Sequence, residues 1–182
     1  MSNAYSELVA RISGGEALTR DEAQSLLSTE DGQDFALIEA ASALRRQEFR
    51  NVIAIHTEDE ELAEALGTRS ISIDSYEILD ISQDIDSHEL ADRMVALGAG
   101  KPTGITVKLP QQAIPMTLMR ILSVLRLAAP DKVIHLPEGY EESLRSLASL
   151  AMHIVSAITI TDDIERWPLV NETLKALRHG GI

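Results

Sequence analysis

The hydrophobic and polar positions of the chain follow a helical period first and a strand period later. Apolar residues recur at helical spacing through residues 35–49, and Thr19 with Glu22 fits a capping box at the start of an earlier helix. From residue 52 onward, short β-branched runs alternate with helical stretches. The pattern predicts a helical segment over residues 1–51 and a β-α domain over 52–182, joined in one compact domain.

Strands and helices are predicted in alternation in this second part. Strands are predicted at 52–57, 69–75 (with an extension through 77–82 left open), 105–109, 133–136 and 158–161. Helices are predicted at 59–66, 87–97, 115–127, 141–152 and 169–178. Such alternation forms parallel β-α units, so we expect an α/β fold, either a partial (β/α) barrel or an open sheet with helices packed on it.

Alternation along each predicted strand separates an apolar face from a polar one. Near the C-terminal strand ends, where barrels and open α/β sheets bind ligands, the polar face carries five candidate ligand-binding residues, His56, Asp74, Lys108, His135 and Thr161. Imidazoles titrate near neutrality, and a lysine can hold an anionic group, so these residues suit acid-base chemistry or small-molecule binding. A solvated face, or one covered by another subunit, is the alternative.

Two groups of residues raise the question of a metal ion. His56, Asp74 and His135 would offer two imidazoles and one carboxylate, a set that suits zinc or iron. Eleven acidic residues and one basic residue lie between Glu58 and Glu89, but they lack the spacing of a calcium-binding loop. A solvated acidic surface is favoured there, and we expect neither a metal nor another cofactor.

Three arginines lie at the C-terminal end of the helix predicted over residues 35–49. Arg45, Arg46 and Arg50 are placed where cations complement the helix dipole. A solvated helix end is expected for them.

Composition narrows the classes of function. With 16 Lys and Arg against 29 Asp and Glu, the formal net charge is −13, which opposes contact with phosphate backbones and argues against nucleic acid as a partner. The first residues form no signal segment, and no apolar run reaches the roughly 18 residues of a membrane span, so we expect a cytoplasmic protein without a membrane partner. There is no cysteine, which removes disulfides, thiolate metal sites and ordinary iron-sulfur clusters.

The C-terminal half resembles a known family. Residues 104–110, 113–130 and 132–141 are similar to the last third of biotin synthase and its radical S-adenosylmethionine relatives, the biotin and thiamin synthesis-associated part of their barrel. Residues 15–23 and 49–52 are similar to the helices that lead into that barrel. The resemblance implies a partial barrel.

The chain departs from this family where the family binds its cofactors. The family's Cys-x-x-x-Cys-x-x-Cys loop follows the first barrel strand, whereas residues 56–61 here read His-Thr-Glu-Asp-Glu-Glu. His135 stands where biotin synthase has an arginine that ligates a second cluster, and residues 152–155 replace a glycine-rich motif. The resemblance therefore implies descent without the radical chemistry.

Two functions from different classes follow. The first, which we favour, is a non-catalytic accessory or interaction protein that binds a second copy of itself or a homologous radical enzyme, using an open sheet edge or the polar face. The second is a small-molecule or metal-binding protein, with or without catalytic activity, that uses the polar cluster. It predicts that His56 and His135 converge in one concave pocket, and the metal version requires them to lie within about 10 Å of each other.

Overall fold

The computed structural model describes residues 3–29, 32–50, 52–58, 71–81 and 86–160. The helices are α1 (Asn3–Ser13), α2 (Arg20–Leu27), α3 (Asp34–Phe49), α4 (Ser87–Ala99), α5 (Pro115–Ala128), α6 (Tyr140–Leu144) and α7 (Ala148–Ala151), with a 3-10 turn at Arg145–Leu147. The strands are β1 (Ala54–His56), β2 (Glu77–Asp80), β3 (Gly104–Lys108), β4 (Val133–Leu136) and β5 (Ala157–Thr159). The helices predicted at 59–66 and 169–178 lie outside the described residues.

All five described strands join one parallel sheet in the order β1-β5-β4-β3-β2. Strands β2 to β5 are neighbours in chain order, connected through α4, α5 and the α6–α7 segment. Strand β1, the first in the chain, pairs with β5. The predicted α/β fold of parallel β-α units is confirmed.

One face of the sheet is apolar and fully buried. Ile105, Val107, Ile134, Leu136 and Ile158 belong to the same hydrophobic core as the inner residues of α3, α4 and α5. Helices α3 and α5 also pack against each other. Burial of branched aliphatic side chains on one face of each strand matches the sequence alternation, and it leaves the opposite face for polar residues.

Side-chain caps set the start of two helices. Glu22 N donates to Thr19 Oγ1 at 3.3 Å, and Thr19 N donates to Glu22 Oε2 at 2.9 Å, which confirms the capping box of α2. At α4, Asp86 Oδ1 accepts from the backbone N–H groups of His88 and Glu89 at 2.7 and 2.9 Å. These backbone hydrogen bonds lower the pKa of Asp86. Helix α4 therefore starts with a carboxylate cap.

The strand predicted at 69–75 is wrong over its described part. Residues 71–76 form a loop with a turn in which Tyr76 N donates to Ile73 O at 3.0 Å. Within it, the Ser72 hydroxyl donates to Asp74 Oδ2 at 3.0 Å and accepts from Asp74 N at 3.4 Å. The Ser72 and Asp74 side chains form hydrogen bonds with each other and with the local backbone, and such bonds compete with the backbone pairing of a β-strand. Strand β2 lies in the extension that the sequence left open.

The single helix predicted at 141–152 is divided into α6, the 3-10 turn and α7. Arg145, at the end of α6, has φ of 51°, a left-handed value that ends the α-helical hydrogen-bond series. No helix in the described part of the chain combines the length and apolarity needed to cross a bilayer.

Two arginines are buried at the N-terminal end of the sheet, where the strands begin. Arg45 Nε donates to Val155 O at 3.1 Å, Nη1 donates to Arg50 O at 2.7 Å, and Nη2 donates to Val52 O. The solvated position expected for Arg45 is wrong, because carbonyls at the starts of β1 and β5 surround its guanidinium. Arg46 and Arg50 are exposed, as expected. Burial lowers the pKa of Arg45, and the nearby positive charge of Arg46 adds to the shift.

Arg126 is the second of these arginines. Its Nε donates to Ile154 O at 2.9 Å, Nη1 to Lys132 O at 2.8 Å, and Nη2 to Ser156 Oγ at 2.6 Å. The ring of Phe49 lies 4.9 Å from the guanidinium carbon. Complete burial lowers its pKa to about 9, and the charge of Arg45 contributes. We refer to Arg45 and Arg126 as the arginine clamp, because together they join the starts of β1, β4 and β5.

Candidate functional site

The face of the sheet opposite the apolar core carries the candidate site. Thr106 on β3 is the register partner of His135 on β4, and His56 on β1 is the register partner of Thr159 on β5. Residues in register in a parallel sheet project from the same side, and Lys108 follows Thr106 by two positions. We refer to His56, Thr106, Lys108, His135 and Thr159 as the polar sheet face.

His135 is the centre of a buried hydrogen-bond network. Its Nδ1 lies 3.1 Å from Thr106 Oγ1, and its Nε2 lies 2.9 Å from Thr159 Oγ1. Burial lowers the pKa of His135 to about 4, and the charge that His56 can carry adds to the shift. The ring is therefore neutral at pH 7 and has both nitrogens occupied, so its role is to hold the surrounding side chains in place.

His56 lies next to this network, but unlike His135 it has only one ring nitrogen in a hydrogen bond with a described residue. Its Nδ1 lies 2.7 Å from Ile71 O, and since a carbonyl only accepts hydrogen bonds, Nδ1 carries the proton. In the neutral ring Nε2 is then an acceptor, and it has no hydrogen bond to another residue in the described ranges. The half-buried ring lies 6.1 Å from that of His135, at 86° between planes. His56 is thus oriented, and one of its nitrogens remains available.

Tyr76 closes the polar sheet face from the other side. Its ring lies 6.3 Å from His135 and packs on Gly104, where a Cβ would lie 2.6 Å from the ring carbons. Tyr76 precedes β2 and His56 belongs to β1, which are the two ends of the sheet order, yet both approach the central His135. His135 is therefore flanked by a ring from each end of the sheet order.

The other sequence candidates are placed differently. Lys108 is exposed at the C-terminal end of β3 and lines a cavity there. Asp74 is exposed in the loop before β2, where it bonds to Ser72, so its predicted place on the polar face of a strand is wrong. Thr161 lies outside the described residues.

The structure does not bring together His56, Asp74 and His135, the three residues considered as metal candidates. His135 uses both ring nitrogens for hydrogen bonds, and Asp74 belongs to a separate loop. Within the described ranges, no three His, Asp or Glu side chains are grouped so that they could hold a metal ion. The two histidine rings lie 6.1 Å apart, within the distance that the metal hypothesis required, but Asp74 does not supply the third group.

Tyr76 and the two threonines were not among the sequence candidates. Thr106 and Thr159 lie on the predicted polar face, but a threonine in a strand is common enough to give no signal. Tyr76 had a weak signal, because it is one of only three tyrosines and directly precedes a strand. Its packing on Gly104 joins residues far apart in the chain, so only the fold reveals it.

A short stretch of the chain is similar to a known protein. No family model matches the chain. A stretch of 51 residues, 28% of the chain, is 41% identical to biotin synthase from Kocuria rhizophila. The matched stretch spans only 11% of the length of that enzyme, so the whole enzyme's activity does not transfer with it. Over this stretch, the chain has a biotin synthase-like relationship.

Proposed function

We propose that this chain binds a small polar molecule on its polar sheet face, with His56 as the principal binding group. The observation that carries the proposal is the hydrogen bond from His56 Nδ1 to Ile71 O, which leaves Nε2 as an acceptor without a partner among the described residues. A ligand with an N–H or O–H group could donate to that nitrogen. His56 would orient such a ligand, or accept its proton if the ligand is acidic enough.

The surroundings of His56 support binding of this kind. Its backbone hydrogen bond and its edge contact with His135 already fix the ring, so a ligand would cause little further loss of side-chain entropy. His135 is held neutral by burial, so the wall beside His56 is polar without being charged. An uncharged polar molecule therefore fits this region better than a strongly charged one.

The accessory or interaction role stays a prediction, and one residue bears on it. Ile78 on β2 is the register partner of Thr106 and is half exposed, so an apolar side chain reaches solvent beside the polar sheet face. A second copy of the chain that covered this face would compete with a small molecule for it. One experiment can therefore distinguish the two roles.

The experiment is a nuclear magnetic resonance screen with a library of small neutral amides and phenols, using the wild type, His56→Leu and His88→Leu. His88 is the matched control, since its exposed ring lies on α4, where its Nε2 is 3.0 Å from Gln24 Nε2. We expect saturable shifts of residues around His56 that weaken at least about tenfold in His56→Leu, because leucine has no hydrogen-bond acceptor, and persist in His88→Leu.

Absence of saturable shifts in the wild type would contradict the proposal. If the wild type also sediments as a dimer in velocity centrifugation, the interaction role gains support instead. Nitrogen-15 spectra of the imidazoles test the premise separately, because the geometry requires the Nδ1–H tautomer of neutral His56.

A further inference from the structure

A cavity lies at the C-terminal ends of β3 and β4, outside the His56 region. Its volume is about 340 Å³, near the lower end of the roughly 300 to 1,000 Å³ typical of small-molecule sites. Its walls come from the segments that follow the two strands, and His56 and His135 are not among its lining residues. The C-terminal ends of parallel strands are the edge where α/β sheets bind ligands.

Lys108 gives this cavity its positive charge. The side chain is exposed and forms no ion pair with another described residue, whereas the neighbouring Glu138 already has an interaction partner. The lining thus carries one cation, Lys108, and one anion, Glu138. A ligand with a negative group would gain a charge-assisted hydrogen bond there.

Ser143 on α6 supplies a second polar group to the cavity lining. The residue is only 2% exposed, and its hydroxyl makes no hydrogen bond with any other described residue. No completely buried side-chain nitrogen or oxygen in the described part of the chain lacks a partner. The Ser143 hydroxyl must therefore reach accessible space, and the cavity that it lines provides that space.

We propose that this cavity binds a small organic carboxylate with an apolar body. The carboxylate would contact the Lys108 ammonium, the body would pack against Leu109, Pro137 and Tyr140, and the Ser143 hydroxyl would bond to a polar atom of the ligand. Lys108 also belongs to the polar sheet face, but neither His56 nor His135 lines the cavity, so carboxylate binding there does not require the ligand proposed at His56.

Binding of benzoate and hexanoate, followed by amide shifts in nuclear magnetic resonance spectra, tests the proposal. We expect saturable shifts at residues 109, 111 and 138–143, and binding at least about tenfold weaker for benzamide and hexanamide, which lack the charge. Lys108→Met is expected to weaken carboxylate binding about tenfold or more, whereas Lys108→Arg keeps most of it. Ser143→Ala is expected to weaken it about two- to fivefold.

Lys101→Met is the matched control, because it removes the same charge from an exposed loop position before β3. It is expected to bind both carboxylates like the wild type. The proposal is overturned if neither carboxylate gives saturable shifts at the cavity, or if Lys108→Met binds them as well as the wild type. Since His56→Leu should leave carboxylate binding unchanged, failure of this site and failure of the His56 site are distinguishable.

Discussion

The arginine clamp and the polar sheet face both contain buried polar groups of the same sheet, but these groups serve different purposes. At the start of the strands, the Arg45 and Arg126 guanidinium groups donate to backbone carbonyls from several segments. On the polar sheet face, His135 is equally saturated, but the adjacent His56 keeps one acceptor nitrogen without a partner in the described residues. The contrast separates groups that hold the fold from a group that can act on something else.

This division follows the architecture of β-α proteins. The N-terminal strand ends serve stability, and the C-terminal ends hold ligands, because the variable connections cluster there. The clamp contacts residues that precede β1, β4 and β5, whereas Lys108 and the cavity lie where β3 and β4 end. Substitutions at the two regions should therefore differ in what they damage.

The largest effect is expected for Arg126→Met. The free energy of unfolding should fall by about 3 to 5 kcal/mol, because buried carbonyls of residues 132 and 154 lose their donor. Urea denaturation followed by circular dichroism measures it. Arg20→Met is the control, since its exposed ion pair with Asp92 should contribute less than about 1 kcal/mol. Equal effects of the two substitutions would remove the distinction between clamp and surface arginines.

A smaller effect is expected from pH, through His135. Its pKa is about 4 in the folded protein and about 6.5 in the unfolded chain. The unfolded state thus binds more protons between these values, so stability is complete above about pH 6.5 and falls by up to about 3 kcal/mol as the pH drops towards 4. Urea denaturation at several pH values should show a flatter profile for His135→Gln.

The half-buried His153 provides the comparison for that profile. Burial lowers its pKa, and the charges of Arg45 and Arg46 add to the shift, so it contributes in the same direction. His153→Gln should remove a smaller part of the pH dependence than His135→Gln. If both variants keep the slope of the wild type, neutral burial of His135 is not what makes the protein acid-sensitive.

The smallest effect is expected at the floor of the polar sheet face. Gly104→Ala should cost about 1 to 2 kcal/mol, because the new methyl group displaces the Tyr76 ring. In a double-mutant cycle, Tyr76→Ala should remove most of that cost. If the losses of unfolding free energy from Gly104→Ala and Tyr76→Ala are additive, the Tyr76 ring is not held by Gly104. The resonances of His135 should then be unchanged in Gly104→Ala.

Sequence patterning predicted the sheet better than it predicted individual polar residues. The faces of β1, β3, β4 and β5 could be assigned, because branched aliphatic residues alternate there with polar ones at period two. Asp74 was misplaced, since the apparent alternation around it belongs to a loop whose serine and aspartate bond locally. The carbonyls around Arg45 come from Val155 and other distant residues, and no local pattern indicates such a partner.

The pairing of β1 with β5 also bears on how the chain is made. Ala54 has Ala157 as its register partner, and the Arg45 guanidinium needs the Val155 carbonyl. During synthesis, the N-terminal helices and β1 leave the ribosome long before either partner exists. The last described strand therefore completes a structure begun by the first, and contacts of such long sequence separation make folding slow. In a chain released before β5 is made, Arg45 would lack the Val155 carbonyl and β1 would lack its partner strand. Both would then be exposed to proteases and chaperones.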